Sequence, residues 1–166
     1  MEIRCVNEGD AEAISAIYAH HVRTGTASFD YEAPPPEFHL QKIRRIAAAG
    51  WPFLVAEEGA QLLGYAYLTQ FRDRDAYRFT AEDSIYVRPD AMGRGVGTAL
   101  LRTLLEHGSE FGFRTVIAVI GDAEPGSVAI HAHCGFREAG RLRAVGWKQN
   151  RWLDSVYMQA ELREPG

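Results

Sequence analysis

The segment 82–105 constrains the fold more than any other part of the chain. It reads EDSIYVRPDAMGRGVGTALLRTLL, a short apolar strand followed by a Pro-Asp turn, a glycine-rich loop and an amphipathic helix. Gly93, Gly95 and Gly97 leave little side-chain bulk in the loop, and the first N–H groups of the helix have no intrahelical acceptor. These donors and the helix dipole favour an anion, most often a phosphate. The alternative for the glycines alone is an ordinary tight turn.

Two other kinds of phosphate loop do not match this segment. A P-loop requires Gly-Lys followed by Ser or Thr, whereas Val96 follows Gly95. A dinucleotide-binding fingerprint requires a first strand near the start of the chain and an acidic residue about 20 positions after the glycines. Here the loop lies in the middle of the chain, and Asp122 is further away. The sequence therefore disfavours both classes.

The composition is that of a globular protein, and 166 residues are enough for one domain with its own core. The formal charge is 18 minus 22, or −4, which disfavours a nucleic-acid partner. We predict a cytoplasmic protein without a membrane partner, because no window approaches 18 apolar residues and the N-terminus has no signal-peptide pattern. Cys5 and Cys134 form no C-x-x-C motif, so we expect neither a disulfide framework nor a zinc ribbon.

Hydrophobic periodicity and turn residues predict a single mixed α/β domain over residues 1–166, in the order β-α-α-β-β-β-α-β-α-β-β. The helix after the glycine-rich loop is predicted to join two parallel strands. The predicted strands are 1–6, 53–57, 62–71, 84–87, 115–120, 141–145 and 152–160. The predicted helices run from an Asn7 cap to Thr24, from Pro36 to Gly50, from Gly97 to Phe111, and from a Ser127 cap to His133.

The sequence R-P-D-A-M-G-R-G-V-G-T-A-L-L resembles motif A of the GNAT superfamily of acetyl-CoA-dependent N-acetyltransferases. The segments E-D-S-I-Y-V and V-G-W-K-Q-N-R-W-L-D-S-V-Y-M-Q resemble, more narrowly, the phosphinothricin or methionine sulfoximine acetyltransferase branch. The resemblance covers nearly the whole chain. It implies a mixed, mostly antiparallel sheet with a central parallel pair splayed for acetyl-CoA, helices on both faces, and a homodimer.

The resemblance also implies which residues bind the coenzyme. The backbone of the strand before the loop is expected to pair with the pantetheine arm, and the loop amides to hold the diphosphate. Two positions depart from the usual pattern: Met92 replaces Gln or Arg, and Glu124 replaces an asparagine that contacts the coenzyme. We therefore leave Glu124 out of the site. The predicted coenzyme-binding residues are Ile85, Tyr86, Val87, Gly93, Arg94, Gly95, Val96, Gly97 and Thr98.

Direct amide formation needs a base for the amine and a group that accommodates the charge of the departing thiolate. Glu82 and Asp83 open the strand, and side-chain alternation lets only one of them face the substrate. The resemblance assigns the base to Glu82, with an exposed carboxylate as the alternative, and leaves Asp83 a structural role. It places His131 where many members carry a tyrosine proposed to protonate the thiolate; a packing histidine is the alternative. We predict no metal site, since no ligand set accompanies the histidines.

The predicted acceptor site combines cations and aromatic rings. Arginine binds carboxylate or phosphinate groups through two parallel hydrogen bonds, which suits an amino-acid acceptor. The resemblance assigns substrate binding to Arg72 and Arg74 in the loop before the strand, together with Glu82 and Phe29. The alternatives are a solvated charge cluster for the arginines and a packed loop for Phe29.

The expected reaction is acetyl transfer from acetyl-CoA to the amino group of a small amino-acid-like acceptor of the phosphinothricin, methionine sulfoximine or methionine sulfone type. Direct attack by the amine would pass through a tetrahedral intermediate. Two alternatives stay open at this point. One is an N-acetyltransferase for a protein N-terminus or a polyamine, and the other is a non-catalytic acyl-CoA sensor.

Overall fold

A computed structural model describes residues 1–162, and the predicted order of elements is confirmed within them. Short 3₁₀ turns lie at Glu8–Asp10, Asp75–Tyr77 and Pro89–Ala91. The strands are β1 (Glu2–Cys5), β2 (Phe53–Glu58), β3 (Gln61–Gln70), β4 (Thr80–Val87), β5 (Thr115–Gly121), β6 (Arg137–Lys148) and β7 (Arg151–Glu161). The helices are α1 (Ala11–Thr24), α2 (Pro36–Ala49), α3 (Val96–Phe111) and α4 (Pro125–His133).

The strands form one sheet in the order β1-β2-β3-β4-β5-β7-β6. Only β4 and β5 are parallel within the described residues; the other neighbours are antiparallel. The crossover between β4 and β5 is α3, as the sequence predicts for a strand–helix–strand unit. The predicted mixed, mostly antiparallel sheet with a central parallel pair is therefore confirmed.

Side-chain alternation divides the core between the two faces of the sheet. On β2, Leu54 faces α3 and belongs to a cluster with Leu100 and Leu104. The adjacent Val55 faces the other way and packs with residues of α1 and α2, including Ile46. Helices therefore cover both faces, and the apolar sides of α2 and α3 are the surfaces that become buried.

The starts of β4 and α4 differ from the prediction for identifiable reasons. Strand β4 begins at Thr80 rather than Ser84, because polar residues at its start still pair with β3 in the register Gln70↔Ala81. Helix α4 begins at Pro125, and the Glu124 carboxylate accepts the N–H groups of Gly126 (3.0 Å) and Ser127 (2.7 Å). The prediction that Ser127 caps this helix is therefore wrong. The carboxylate of Glu124 instead caps the helix N-terminus.

The last two strands form a long hairpin. Strand β6 spans Arg137–Lys148, well beyond the predicted 141–145, since β7 provides partners as far as Lys148↔Arg151. Gln149 and Asn150 both have positive φ (54° and 57°), the conformation of a two-residue type I′ turn. Over residues 1–162, no helix is long and apolar enough to cross a lipid bilayer.

Candidate active site

The central parallel pair opens into a slot. Pairing between β4 and β5 extends from Thr80↔Thr115 to Glu82↔Ile117 and stops there. Beyond that point β5 remains paired with β7 on its other side, as far as Gly121↔Ser155. A cavity of about 210 Å³ lies between the diverging strands, with α4 contributing Ser127 and His131 to its wall. The splayed geometry expected from the sequence is thus present.

Main-chain groups of β4 face this slot. Just beyond the strand, Arg88 donates its N–H to the Leu63 carbonyl in β3 at 2.7 Å. Because alternate residues of a strand direct their N–H and C=O groups to opposite sides, those of Ile85 and Val87 point toward β5. The Val87 carbonyl accepts a hydrogen bond from His21 Nε2 at 2.7 Å. Burial lowers the pKa of His21, so the ring is neutral and Nε2 carries the proton donated to that carbonyl.

The glycine-rich loop presents open backbone beside the slot. Gly93 and Gly95 have φ of 76° and 80°, and a Cβ at either position would meet no atom of the described chain within 4 Å. The first intrahelical bond of α3 joins Ala99 N to Gly95 O at 3.0 Å. The N–H groups of the helix's first turn, which includes Gly97 and Thr98, therefore lack intrahelical acceptors. Donors on an exposed, side-chain-poor turn fit the diphosphate of a coenzyme.

Gly97 and Arg94, two of the predicted coenzyme-binding residues in the loop, also contact other parts of the protein. A Cβ at Gly97 would lie 2.8 Å from Ile130 Cδ1, so this glycine lets α3 and α4 approach closely. The Arg94 guanidinium forms an ion pair with Glu58 at 2.9 Å. Arg94 can therefore serve the coenzyme through its backbone, while its side chain connects the loop to the turn between β2 and β3.

Glu82 lies at the point where the two strands separate. Arg72 Nη1 is 3.6 Å from Glu82 Oε1, and the Arg72 guanidinium lies over the Phe71 ring at 4.0 Å from its centroid. Burial raises the pKa of Glu82; the Arg72 charge opposes this rise and the Asp83 charge adds to it. The Glu82 side chain is still 32% exposed, so a substrate can reach it. Arg74 is exposed, and its carbonyl accepts from the Gln70 side chain at 3.0 Å.

Asp83 and His131 form a buried pair beside Glu82. His131 Nε2 is 2.8 Å from Asp83 Oδ2, and Nδ1 is 2.7 Å from the Ser127 carbonyl. Burial lowers the pKa of His131, but the charge and hydrogen bond of Asp83 and the Ser127 carbonyl outweigh it, so the pKa is raised overall. Both ring nitrogens face acceptors, which is the arrangement of a protonated imidazole. Asp83 Oδ1 has no hydrogen-bond partner within residues 1–162.

The segment between α1 and α2 lies against the slot. Ala27 lines the cavity, and the Phe29 ring lies against Gly121 and Gly146. Phe29, a predicted substrate-binding residue, thus contacts Gly121 of the cavity lining without itself lining the cavity. The sequence did not indicate Lys148, whose ammonium group donates to the Ser28 carbonyl at 2.7 Å. No local pattern connects positions 120 residues apart, so this contact had no signal in the sequence.

The sequence matches the model of a known protein family. The model described as the Acetyltransferase (GNAT) family matches residues 15–136. The chain belongs to this family. The resemblance noted for the glycine-rich segment and the fold implied by it are therefore confirmed. Among residues 1–162, no group of three His, Cys, Asp or Glu side chains converges in a way that could hold a metal ion.

Individual relatives of the chain belong to a narrower branch of the family. The chain is 51% identical to phosphinothricin N-acetyltransferase from Alcaligenes faecalis, over 96% of this chain and 82% of the relative. It is 33% identical to L-methionine sulfoximine/L-methionine sulfone acetyltransferase from Salmonella typhimurium, over 99% and 96% of the two chains. The crystal structure of a GNAT superfamily phosphinothricin acetyltransferase from Sinorhizobium meliloti, in complex with AcCoA, superposes with a TM-score of 0.94. That chain is 41% identical, with coverage of 97% of this chain and 88% of that one.

Proposed function

We propose that this GNAT enzyme transfers the acetyl group of acetyl-CoA to the amino group of a small amino-acid-like acceptor of the phosphinothricin, methionine sulfoximine or methionine sulfone type. The observation that carries the proposal is the proximity of Arg72 to Glu82, 3.6 Å apart where β4 and β5 separate. An α-amino acid carries its amine and its carboxylate two bonds apart. A cation beside a base therefore matches both groups of such an acceptor.

Glu82 is the proposed base for the amine. An acceptor amine is largely protonated near neutral pH, so it must lose a proton before it can attack. Burial raises the pKa of Glu82, which makes its carboxylate a better proton acceptor than an ordinary surface glutamate. Arg72, half-exposed and stacked on Phe71, is placed to hold the acceptor's carboxylate or phosphinate. Arg74 and Phe29 complete the proposed acceptor site.

Acetyl-CoA supplies an activated acyl group as a thioester. The amides of the loop from Gly93 to Thr98 are the proposed diphosphate donors, and the slot-facing groups of Ile85 and Val87 are the proposed partners of the pantetheine arm. Tyr86 belongs to the same strand segment, but its ring packs on Tyr18 of α1. These residues position the acyl group near Glu82 because the strand runs directly from that residue to the loop.

His131 is the proposed acid for the thiolate. It lines the slot, and the carboxylate of Asp83 raises the pKa of the buried ring, which favours its protonated form. A positive charge in this wall stabilises a developing thiolate, and the ring holds a proton that the thiolate needs. Because Asp83 accepts the Nε2 proton at 2.8 Å, delivery from Nε2 requires that hydrogen bond to break.

Replacement of the base tests the proposal. We expect Glu82→Gln to lower turnover of methionine sulfone most strongly near neutral pH, with little change in the KM for acetyl-CoA. The matched control is Glu106→Gln, an exposed position on α3. Thiol release is measured across pH for both variants. A Glu82→Gln enzyme whose pH–rate profile equals that of the wild type would remove Glu82 from this role.

The same assay separates the alternatives. A panel of α-amino acids, sulfoximines, sulfones, polyamines and peptide N-termini is offered with acetyl-CoA. Preference for the amino-acid-like acceptors supports the proposal, and preference for peptides or polyamines contradicts it. Coenzyme binding without thiol release with any amine would instead identify a sensor.

We further propose a cytoplasmic homodimer that associates through β6, an edge strand of the sheet. The hairpin exposes several apolar side chains, including Trp152 (63% exposed) and Trp147 (46% exposed). Apolar groups concentrated along an unpaired strand edge favour self-association. Light scattering of the wild type and of Trp152→Glu tests this. We expect the wild type to have the mass of a dimer and Trp152→Glu to contain a larger fraction of monomer at the same concentration. A wild-type monomer at micromolar concentration refutes it.

A further inference from the structure

The segment 26–31, here called the acceptor segment, is fixed to the strands on the far side of the slot. Thr26 Oγ1 donates to Asp122 Oδ2 at 2.7 Å, at the end of β5. The Tyr31 hydroxyl donates to the Trp147 carbonyl in β6. The position of this segment is therefore set by the C-terminal half of the sheet, although the sequence places it directly after α1.

Two glycines form a socket for the ring of Phe29. A Cβ at Gly146 would lie 2.5, 2.8 and 3.0 Å from three atoms of that ring. A Cβ at Gly121 would lie 2.7 Å from the opposite ring edge and 2.9 Å from the Thr26 carbonyl. Neither glycine has a positive φ. Glycine is therefore required at both positions by the space that the ring occupies, and not by the backbone conformation.

The strand pairing shows where the two glycines of the socket lie in the sheet. Gly146 pairs with Leu153, and Gly121 pairs with Ser155, so the two glycines lie on opposite sides of β7. The Phe29 ring bridges β7 between them. Gly121 also lines the slot. A group added at Gly146 therefore pushes the ring toward the slot and away from β6.

A buried lysine provides a second attachment next to the socket. Lys148 lies two residues after Gly146, is only 8% exposed, and donates to the Ser28 carbonyl at 2.7 Å. The Ser28 hydroxyl is 2.9 Å from the hydroxyl of Tyr18 on α1. Ser28, the residue before Phe29, is thus hydrogen-bonded to both Lys148 and Tyr18. These bonds limit the freedom of the Phe29 ring to leave the socket.

We propose that Gly121 and Gly146, with Lys148 as a positioning residue, determine the size of acceptor that the enzyme accepts, by fixing the ring of Phe29 against Gly121 in the wall of the slot. This inference rests on the proposed function, because it concerns the acceptor of that reaction. The hairpin of β6 and β7 then selects the acceptor without itself contacting it.

Gly146→Ala tests the inference, with Gly140→Ala as the matched control. Gly140 lies on the same strand, and a Cβ there would meet no atom of the described chain within 4 Å. The acceptors are methionine sulfone and its longer homologue ethionine sulfone, which differ by one methylene. We expect Gly146→Ala to raise the preference for the shorter acceptor, measured as the ratio of kcat/KM values, by about tenfold. The KM for acetyl-CoA and the Gly140→Ala enzyme should remain near wild type.

Three further variants keep the inference testable if Gly146→Ala folds poorly. Phe29→Ala removes the ring and should shift the preference toward the longer acceptor. Phe29→Ala combined with Gly146→Ala should behave like Phe29→Ala alone, because no ring remains for the new methyl group to displace. Lys148→Met should raise the KM for both acceptors without changing the KM for acetyl-CoA.

The outcomes separate this inference from the proposed function. A wild-type enzyme that acetylates neither sulfone, nor phosphinothricin or methionine sulfoximine, refutes the proposed function and this inference together. A wild-type enzyme that acetylates them while Gly146→Ala and Phe29→Ala keep the wild-type preference refutes only the inference. Thermal unfolding of each variant accompanies the kinetics, so that loss of folded enzyme is not counted as a change in preference.

Discussion

The buried pair of Asp83 and His131 yields a quantitative prediction. Asp83→Ala removes the counter-charge of His131, so the ring loses its proton and its Nε2 atom stays buried without a partner, which costs about 1–3 kcal/mol of folding free energy. For a domain of this size, that loss lowers the melting temperature by about 2–12 °C. Asp83→Asn should cost less, about 1 kcal/mol, because the neutral His131 keeps its Nδ1–H bond to Ser127 and its Nε2 accepts a hydrogen bond from the asparagine amide.

The pH dependence follows from the raised pKa of His131. A group whose pKa is higher in the folded state than in the unfolded state contributes stability that is complete below the unfolded pKa, about 6.5 for histidine. That contribution is lost as the pH rises through the folded-state pKa. The difference in stability between the wild type and Asp83→Asn should therefore be largest below about pH 6.5 and become smaller as the pH rises above the folded-state pKa of His131.

Urea denaturation followed by tryptophan fluorescence measures these differences. Asp73→Asn, an exposed position in the loop between β3 and β4, is the control and should change stability by less than about 0.5 kcal/mol. The reasoning is wrong if Asp83→Ala costs less than about 1 kcal/mol, or if the wild-type and Asp83→Asn curves run parallel across this pH range.

Three other substitutions have defined outcomes. Leu100→Ala removes a fully buried side chain of α3 and should cost about 2–5 kcal/mol in urea denaturation; a smaller loss would mean that the core collapses into the cavity. Gly64→Ala places a Cβ 2.8 Å from the Tyr86 carbonyl, a backbone atom that cannot rotate away. We expect a cost of about 1–3 kcal/mol, and an unchanged melting temperature would contradict it. Arg72→Ala should raise the KM for an amino-acid acceptor far more than the KM for acetyl-CoA; equal increases would indicate general damage to the fold.

Local patterns predicted much of the fold. The apolar spacing on α2 and α3 follows the helical period, and the segment after the glycines reads as a helix because its leucines fall on one face. The glycine-rich loop likewise lies beside the slot, with Gly93 and Gly95 in the left-handed conformation. These features could be predicted because each depends on residues that lie close to one another in the sequence.

Other features arise only from contacts between distant parts of the chain. Asp83 and His131 are 48 positions apart, and nothing near either residue indicates that they pair. The start of β4 was missed because Glu82 and Asp83 make it look polar, while pairing with β3 decides its length. The same limit applies to Lys148, whose partner is the main chain of Ser28 and carries no residue-type signal.

The early end of pairing between β4 and β5 has a consequence for how stability is distributed. Within residues 1–162, the strand pairs from Thr80↔Thr115 to Glu82↔Ile117 are the only ones that join the first four strands to the last three, so the two parts of the sheet pair along a short seam. A cosubstrate that lies in the slot fills the missing strand position and links the two parts. Enzyme loaded with it should therefore resist heat better than free enzyme, by an amount that grows with the logarithm of its concentration.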